Sequence, residues 1–378
     1  MVDTKTKVIF VVPSLRRGGA ETQLIDLVNG LDSKKFEKHL FTFHQDLDQL
    51  DKVDRKNIEF HNEIRQGKLG LSAARKLSEI IDKQNIQLIH CTLQISLLVG
   101  YLAIKLSKNK PKLVLTLHTT KNRNMKQELF ERYFYKWIMK ICDQIICVCG
   151  NQEKFWQKKY PFLIGKTEVV YNGVDIGYFN ADSWRRSGIN LRQTHNIPIE
   201  ADVVVNVAAF RPEKGQVILL RAFSEVLKKR PAYLLLAGEG PLRIHCEQLA
   251  KSLGCYDRVR FLGNLSDVRP VVAASTISVM ASIAETFSIA MLESMSMKKI
   301  IVATDVGGTS EAVLHNKTGL IVPPNDINKL SDGIVKILSD KNLMIKMEES
   351  AVNMVKDKFT KDKMISKTSA ILMRHVIN

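Results

Sequence analysis

The stretch "VVVNVAAF", residues 203–210, is a nearly unbroken apolar run rich in valine, and it follows a polar segment. Continuous apolarity with β-branched residues marks a strand covered on both faces, as in a parallel sheet sandwiched by helices. Towards the C-terminus the same kind of run recurs between helix-like segments: "YLLLAGEG" (233–240), "VRFLGN" (259–264), "ISVMAS" (277–282), "KIIVATDVGG" (299–308) and "GLIVPP" (319–324). Towards the N-terminus, residues 174 to 200 are rich in Asn, Asp and Arg, close with Pro198, and read as a linker region. Before them lies an equivalent series: "KVIFVV" (7–12), "HLFTF" (39–43), "IEFHN" (58–62), "LIHCT" (88–92), "LVLTLH" (113–118), "QIICVCG" (144–150) and "EVVYNG" (168–173). Residues 203–210 therefore restart a β/α rhythm that has already run once. The expectation is an α/β protein of two facing, Rossmann-like, doubly wound parallel-sheet domains, 1–180 and 181–360. Ligands of such sheets bind beyond the carboxyl ends of the strands, so the expected site is an interdomain cleft.

Composition agrees with two ordinary domains. The chain has 378 residues, of which 45% are hydrophobic and 7% aromatic, which excludes a disordered chain. No run of about 18 apolar residues occurs, and the N-terminus leads into a strand rather than a signal peptide, so a cytoplasmic protein is expected. The six cysteines form no C-x-x-C pair and read as reduced, buried thiols. The formal charge is +17, with 29 Lys and Arg against 19 Asp and Glu through Asp175 and 27 against 20 after it. That excess suits an anionic ligand, an anionic membrane face or nucleic acid, or is simply a lysine-rich surface. No nucleic-acid recognition motif accompanies it, so no nucleic-acid partner is expected.

Three motifs stand at strand ends. In "PSLRRGGAETQLIDLV" (13–28), Gly18 and Gly19 lead from the first strand into an amphipathic helix. Glycines let the backbone approach a ligand closely, and a helix start offers free N–H groups to an anion; a plain strand-to-helix turn is the alternative. The pattern is neither G-x-G-x-x-G nor a Walker loop, which disfavours a dinucleotide or ATP. In "NVAAFRPEKGQ" (206–216), Arg211 and Lys214 follow a strand end, where two cations suit a diphosphate. In "ETFSIAMLE" (285–293), Ser288 is expected to cap a helix beginning near Ile289, leaving Glu285 in the preceding loop and Glu293 in the second turn. The rise of eight mostly helical residues separates the two acids by roughly 12 Å, about the span from a nucleotide ribose to the sugar beyond its diphosphate.

Taken together, "GGAE", "PEKG", "ETFSIAMLE" and "VATDVGGTSE" resemble the retaining glycosyltransferases of family four, which have the GT-B fold. The match runs in order along nearly the whole chain, and the glutamate pair with Gly307 and Gly308 is its most specific part. The resemblance implies an acceptor-side first domain, a nucleotide-sugar-binding second domain, and a C-terminal helix near 361–378 that crosses back onto the first. It implies that Glu293 holds the ribose hydroxyls and that Glu285, with Thr286, Phe287 and Ser288, borders the transferred sugar. Arg211 and Lys214 would neutralise the diphosphate, helped by backbone groups at Gly18 and Gly19, while the backbone around Arg260 would border the base. His118 matches the family's active-site histidine; otherwise it is a buried strand-end histidine. Two departures stand out. The family often has glycine where this chain has Thr286 and Ser288, and its diphosphate arginine commonly occupies the position of Ala209, so Arg211 would act as a substitute from two residues on.

Such enzymes transfer the sugar by a same-face displacement in which the leaving diphosphate takes the acceptor's proton, so Glu285 is expected to position the sugar and not to attack it. No cofactor and no metal are expected, since the only D-x-D, Asp46 to Asp48, reads as an exposed loop. The expected partners are a nucleotide-sugar donor, UDP- or GDP-linked, and a glycan or lipid-linked acceptor. In segment 121–144, Phe130, Tyr133, Phe134, Trp137, Ile138 and Ile141 recur at helical spacing among basic residues. This suits a helix at an anionic membrane, or one packed on its own sheet. The competing functions are a nucleotide-sugar epimerase of the same fold, which needs no acceptor, and a non-catalytic binding subunit, which need not retain Lys214, Glu285 and Glu293 together.

Overall fold

A computed structural model describes residues 5–67, 70–119, 129 and 131–377. The chain divides into two compact units, Met1–Gly173 with Lys361–Asn378, and Val174–Thr360. The division falls at Gly173 where the sequence suggests 180, because Val174 already belongs to the second unit. Its N–H donates to the Phe359 carbonyl at 2.9 Å, and it forms a parallel bridge with Thr360.

The first unit holds β1 (Thr6–Val12), β2 (Phe36–Thr42), β3 (Ile58–Asn62), β4 (Leu88–Thr92), β5 (Lys112–Leu117), β6 (Gln144–Cys147) and β7 (Thr167–Val169). They form a parallel sheet in the order β3-β2-β1-β4-β5-β6-β7. Alternation along β1 builds both faces. Ile9 and Val11 pack with Leu77, Ile81 and Val99 of the helices Leu71–Gln84 and Gln94–Leu106. Val8, Phe10 and Val12 pack with Leu24 and Val28 of the helix Gly19–Gly30 and with Met364, Ile371 and Leu372 of the helix Lys361–Ile377. Arg374 of that last helix also pairs with Glu168 at 3.0 Å.

The second unit holds β8 (Val203–Val207), β9 (Tyr233–Ala237), β10 (Val259–Gly263), β11 (Ile277–Met280), β12 (Ile300–Thr304) and β13 (Gly319–Val322), in the order β10-β9-β8-β11-β12-β13. All are parallel. Each of the six apolar runs quoted from this half contains one of these strands, and each run of the first half overlaps one of β1 to β7. The strands are shorter than several of the runs because the runs' last residues turn away into the loops that carry the motifs.

The segment 174–200 is a correction. Rather than a plain linker, it contains the helix Ala181–Thr194, whose first N–H groups are met by the Asn180 side chain through Asp182 N at 3.0 Å. Few apolar residues mark this helix, because its packing face centres on a glycine. A Cβ on Gly188 would lie 2.7 Å from the Ala273 carbonyl carbon, so the helix rests against the helix Arg269–Ala274. The Arg269 guanidinium lies over the rings of Tyr178 and Trp184, at 3.3 and 4.1 Å from their centroids, which clamps the contact further.

Among the described residues, no helix is long and apolar enough to cross a membrane. All six cysteines are buried thiols.

Candidate active site

In the second unit the strand order reverses between β8 and β11, and the loops leaving those two strands flank this switch point, where ligands of such sheets bind. The β8 loop carries Lys214 at the end of a single 3-10 turn, Pro212–Lys214, with Arg211 as its N-cap. The β11 loop carries Glu285, and the Lys214 ammonium is bonded to its Oε2. Glu285 Oε1 accepts from the N–H of Thr286 at 3.2 Å, so the carboxylate is held at both oxygens. Around this pair the loops are locked by backbone bonds: Ile283 N donates to the Glu213 carbonyl at 2.8 Å and Gly308 N to the Thr286 carbonyl at 2.7 Å. Thr304 of β12 donates its hydroxyl to the Ser282 carbonyl at 2.5 Å.

Two glycines make this closeness possible. Gly215, at φ +67°, and Gly307, at φ +57°, both take the left-handed conformation. A Cβ would lie 1.9 Å from the Ala281 carbonyl oxygen in the first case and 2.0 Å from that of Glu285 in the second. Ser288 caps the helix Ile289–Ser296, its hydroxyl accepting from Met291 N at 3.4 Å, and Glu293 stands half-buried in the second turn. Phe287 turns its ring inward against Phe359, with centroids 5.3 Å apart, so only its backbone borders the loop.

Arg211, Lys214, Glu285, Thr286, Ser288 and Glu293 thus sit on the elements that follow two adjacent strands. For Arg260 the expectation concerns the backbone, and its side chain is engaged elsewhere. It lies on the edge strand β10, its guanidinium donating to the carbonyls of His195 at 3.0 Å and Asp257 at 2.8 Å and lying over Tyr233. The β8 loop also owes its shape to Gln216, absent from the sequence reading, whose buried amide donates to the Ala209 carbonyl at 2.9 Å.

In the first unit the corresponding reversal lies between β1 and β4. Gly18 caps the helix Gly19–Gly30 with extended backbone, and what its missing side chain admits is Glu21. A Cβ at Gly18 would lie 2.4 Å from the buried Glu21 carboxylate, which pairs with Arg16 at 3.4 Å. After β4, Leu93 takes φ +73°, a conformation that costs a branched side chain about 1–3 kcal/mol and is tolerated where a site demands it. His118 follows β5, half-buried, and lines a cavity with His90, Thr92, Thr116, Gln23 and Asn172. Burial pushes His118 down to about 4, and burial with the neighbouring His118 pushes His90 down to about 3. Both rings are neutral at neutral pH and act as hydrogen-bonding groups without charge. His90 Nε2 meets Thr116 Oγ1 at 2.8 Å, while His90 Nδ1 and Thr92 Oγ1 have no protein partner among the described residues. The signal for His90 was present as a polar residue inside the apolar run "LIHCT".

The basic aromatic segment has two faces. Ile138 and Met139 are buried against the sheet, while Tyr133 is 67%, Trp137 58% and Ile141 54% exposed, with the ammonium groups of Lys136 and Lys140 over the Trp137 ring. Phe130 and residues 121–128 lie outside the described residues. Asp46 and Asp48 are exposed.

Comparison with known proteins follows the same division. A family model described as "Glycosyltransferase Family 4" matches residues 17–178, and one described as "Glycosyl transferases group 1" matches residues 189–354. N-acetyl-alpha-D-glucosaminyl L-malate synthase of Bacillus anthracis is 26% identical over 312 residues, which are 80% of this chain and 78% of that protein. A glycosyltransferase from Rickettsia africae shares the fold with a TM-score of 0.84 and 24% identity over 99% of each chain. HepE of Anabaena, solved in complex with UDP-glucose, does so with a TM-score of 0.85 and 22% identity over 97% of this chain and 99% of that one. At these identities the two structures speak for the fold, which is GT-B.

Proposed function

The chain belongs to the group 1 glycosyltransferases, and on that premise we propose that it moves a hexose from a UDP- or GDP-linked donor to a glycan or lipid-linked acceptor, with retention of configuration. The observation that carries this reading is the Lys214–Glu285 pair at the reversal of strand order between β8 and β11. A cation and a carboxylate held together there suit the two ends of a sugar diphosphate. The ammonium meets charge building on the leaving oxygens, and the carboxylate accepts from sugar hydroxyls. Arg211, which among the described residues has no ion-pair partner, adds a second cation. Glu293 takes the ribose hydroxyls, and the solved complex of HepE with UDP-glucose supports UDP as the nucleotide.

In this reading the diphosphate accepts the acceptor's proton as it leaves, so positioning and charge stabilisation are the protein's contribution and no metal enters the step. The neutral His118 hydrogen-bonds the donor sugar, and the first unit takes the acceptor. The exposed Tyr133, Trp137 and Ile141, with Lys136 and Lys140 beside them, rest against an anionic membrane surface on the cytoplasmic side.

The test is a thermal-shift and calorimetric screen against UDP, GDP, ADP and their common sugars, because a ligand of the folded state raises apparent stability. One nucleotide sugar should stand out, and its effect should vanish in Glu293→Ala. A folded protein that binds none of them, or binds equally well without Glu293, overturns the assignment.

A further inference from the structure

A separate cluster lies at the edge of the first unit's sheet. β2 and β3 pair in parallel with His39 opposite Glu59 and Phe41 opposite His61, so Glu37, His39, Glu59 and His61 project from one face of two neighbouring strands. His39 Nδ1 lies 3.3 Å from His61 Nε2 and 3.4 Å from Glu59 Oε2, and the other Glu59 oxygen lies 3.6 Å from His61 Nε2. In a tetrahedral zinc site with bonds of about 2.0–2.1 Å, neighbouring ligand atoms stand about 3.3–3.4 Å apart. The two imidazole nitrogens already stand one such edge apart, each with a Glu59 oxygen at a similar distance, and one ligand atom from each of the three residues lies within 4.8 Å of the others.

The surroundings favour an ion over a simple hydrogen-bonded pair. His39 is 1% exposed, and its Nε2 has no hydrogen-bond partner among the described residues. With Nδ1 on a metal, the ring proton resides on Nε2, and the Glu37 carboxylate, 3.5 Å away, is the group that receives it. A carboxylate behind a ligating imidazole fixes its tautomer and raises its basicity. Lys76 of the helix Leu71–Gln84, the cation that bears on His61, is paired with Glu79 at 3.5 Å. Two imidazoles and a carboxylate suit zinc and its first-row neighbours better than calcium or magnesium.

We propose that His39, Glu59 and His61 bind a divalent cation of the zinc class, which ties the edge strand β3 to β2. The site is built wholly from the first unit, whereas Lys214 and Glu285 belong to the second, and the transfer reaction does not depend on it. An ion here also gives an edge strand, otherwise open to pairing with another chain, a fixed position.

The experiment uses the untagged full chain, stripped with chelator, titrated with zinc chloride, desalted and analysed for metal, with cobalt as a spectroscopic substitute. One equivalent should be retained, cobalt should give the strong visible bands of four-coordinate geometry, and zinc should raise Tm. His61→Ala and Glu59→Gln should each weaken binding at least tenfold and abolish the Tm rise, and Glu37→Gln should weaken it about 10–100-fold. Because His61 is 18% and Glu59 52% exposed, these substitutions probe the site without emptying a core position. Donor binding should be unchanged in all three. A folded wild-type protein that retains no zinc, or His61→Ala and Glu59→Gln variants that retain a full equivalent, overturns the proposal and leaves a hydrogen-bonded pair of imidazoles.

Discussion

Replacing Gly307 by alanine adds one methyl group and no chemistry, so it isolates the geometry on which the proposed site depends. The added Cβ would lie 2.0 Å from the Glu285 carbonyl oxygen and 2.8 Å from that of Thr286. Reaching even a tight contact of 3.0 Å requires the first of these to retreat by 1.0 Å. The residue must also hold φ +57°, which costs an L side chain about 1–2 kcal/mol. A displacement of that size at the residue bonded to Lys214 is enough to lower kcat/KM by about 100-fold, or about 2.7 kcal/mol. Gly254→Ala supplies the control, because Gly254 has φ +67° and nothing within 4 Å of its would-be Cβ. It should show the conformational cost alone, about 1 kcal/mol in denaturant unfolding, with normal turnover. The assay is donor turnover with the nucleotide sugar found by the binding screen, alongside unfolding of both variants. A Gly307→Ala enzyme within twofold of the parent, and no less stable than Gly254→Ala, would refute the claim that this glycine sets the position of Glu285.

Lys214→Ala should lower kcat by about 100- to 1,000-fold while changing donor affinity far less, since the ammonium is assigned to charge that develops on the leaving group; an equal loss in both quantities would contradict that assignment. Binding to anionic vesicles should be measurable, fall steeply with salt and weaken in a Trp137→Ala, Lys140→Ala double variant, and equal partitioning onto neutral vesicles would count against an electrostatic surface. His90 makes a pH prediction. Its folded-state pKa of about 3 lies below the ordinary 6.5, so above pH 6.5 it is neutral in both states; as pH falls further only the unfolded chain takes up the proton, and stability drops until about pH 3. Between pH 6.5 and 5.0 its share amounts to about 1.6 kcal/mol, and His90→Gln should reduce the stability loss by that amount, leaving the share of His118, in urea titrations at the two pH values.

Strand positions were legible because a parallel strand buried on both faces must be apolar at nearly every position, and the runs around Val8, Leu88, Val114, Val204 and Leu235 are. The cap at Ser288 was legible because it needs only local chemistry. The helix Ala181–Thr194 was hidden because its packing face is a glycine and its clamp is an arginine between two rings, and neither produces hydrophobic periodicity. The meeting of Lys214 with Glu285 follows from the adjacency of β8 and β11, which the order of strands in sequence does not disclose. Arg260 shows the converse case. Its run forms the strand that its apolarity suggests, while its side chain bonds to carbonyls of its own neighbourhood, a pairing that no local pattern announces. The left-handed backbone of Leu93 leaves no trace in the sequence, since leucine is not a residue that advertises such a turn.

The helix Lys361–Ile377 lies in the first unit although the whole of the second unit precedes it in the chain. On the ribosome, the second unit can therefore close its core before the first has received its last helix. Until then Leu24, Val28 and Phe10 lack the cover supplied by Met364, Ile371 and Leu372. The unit begun first is finished last, and for the time needed to make nearly two hundred further residues it carries an apolar face that a chaperone could hold.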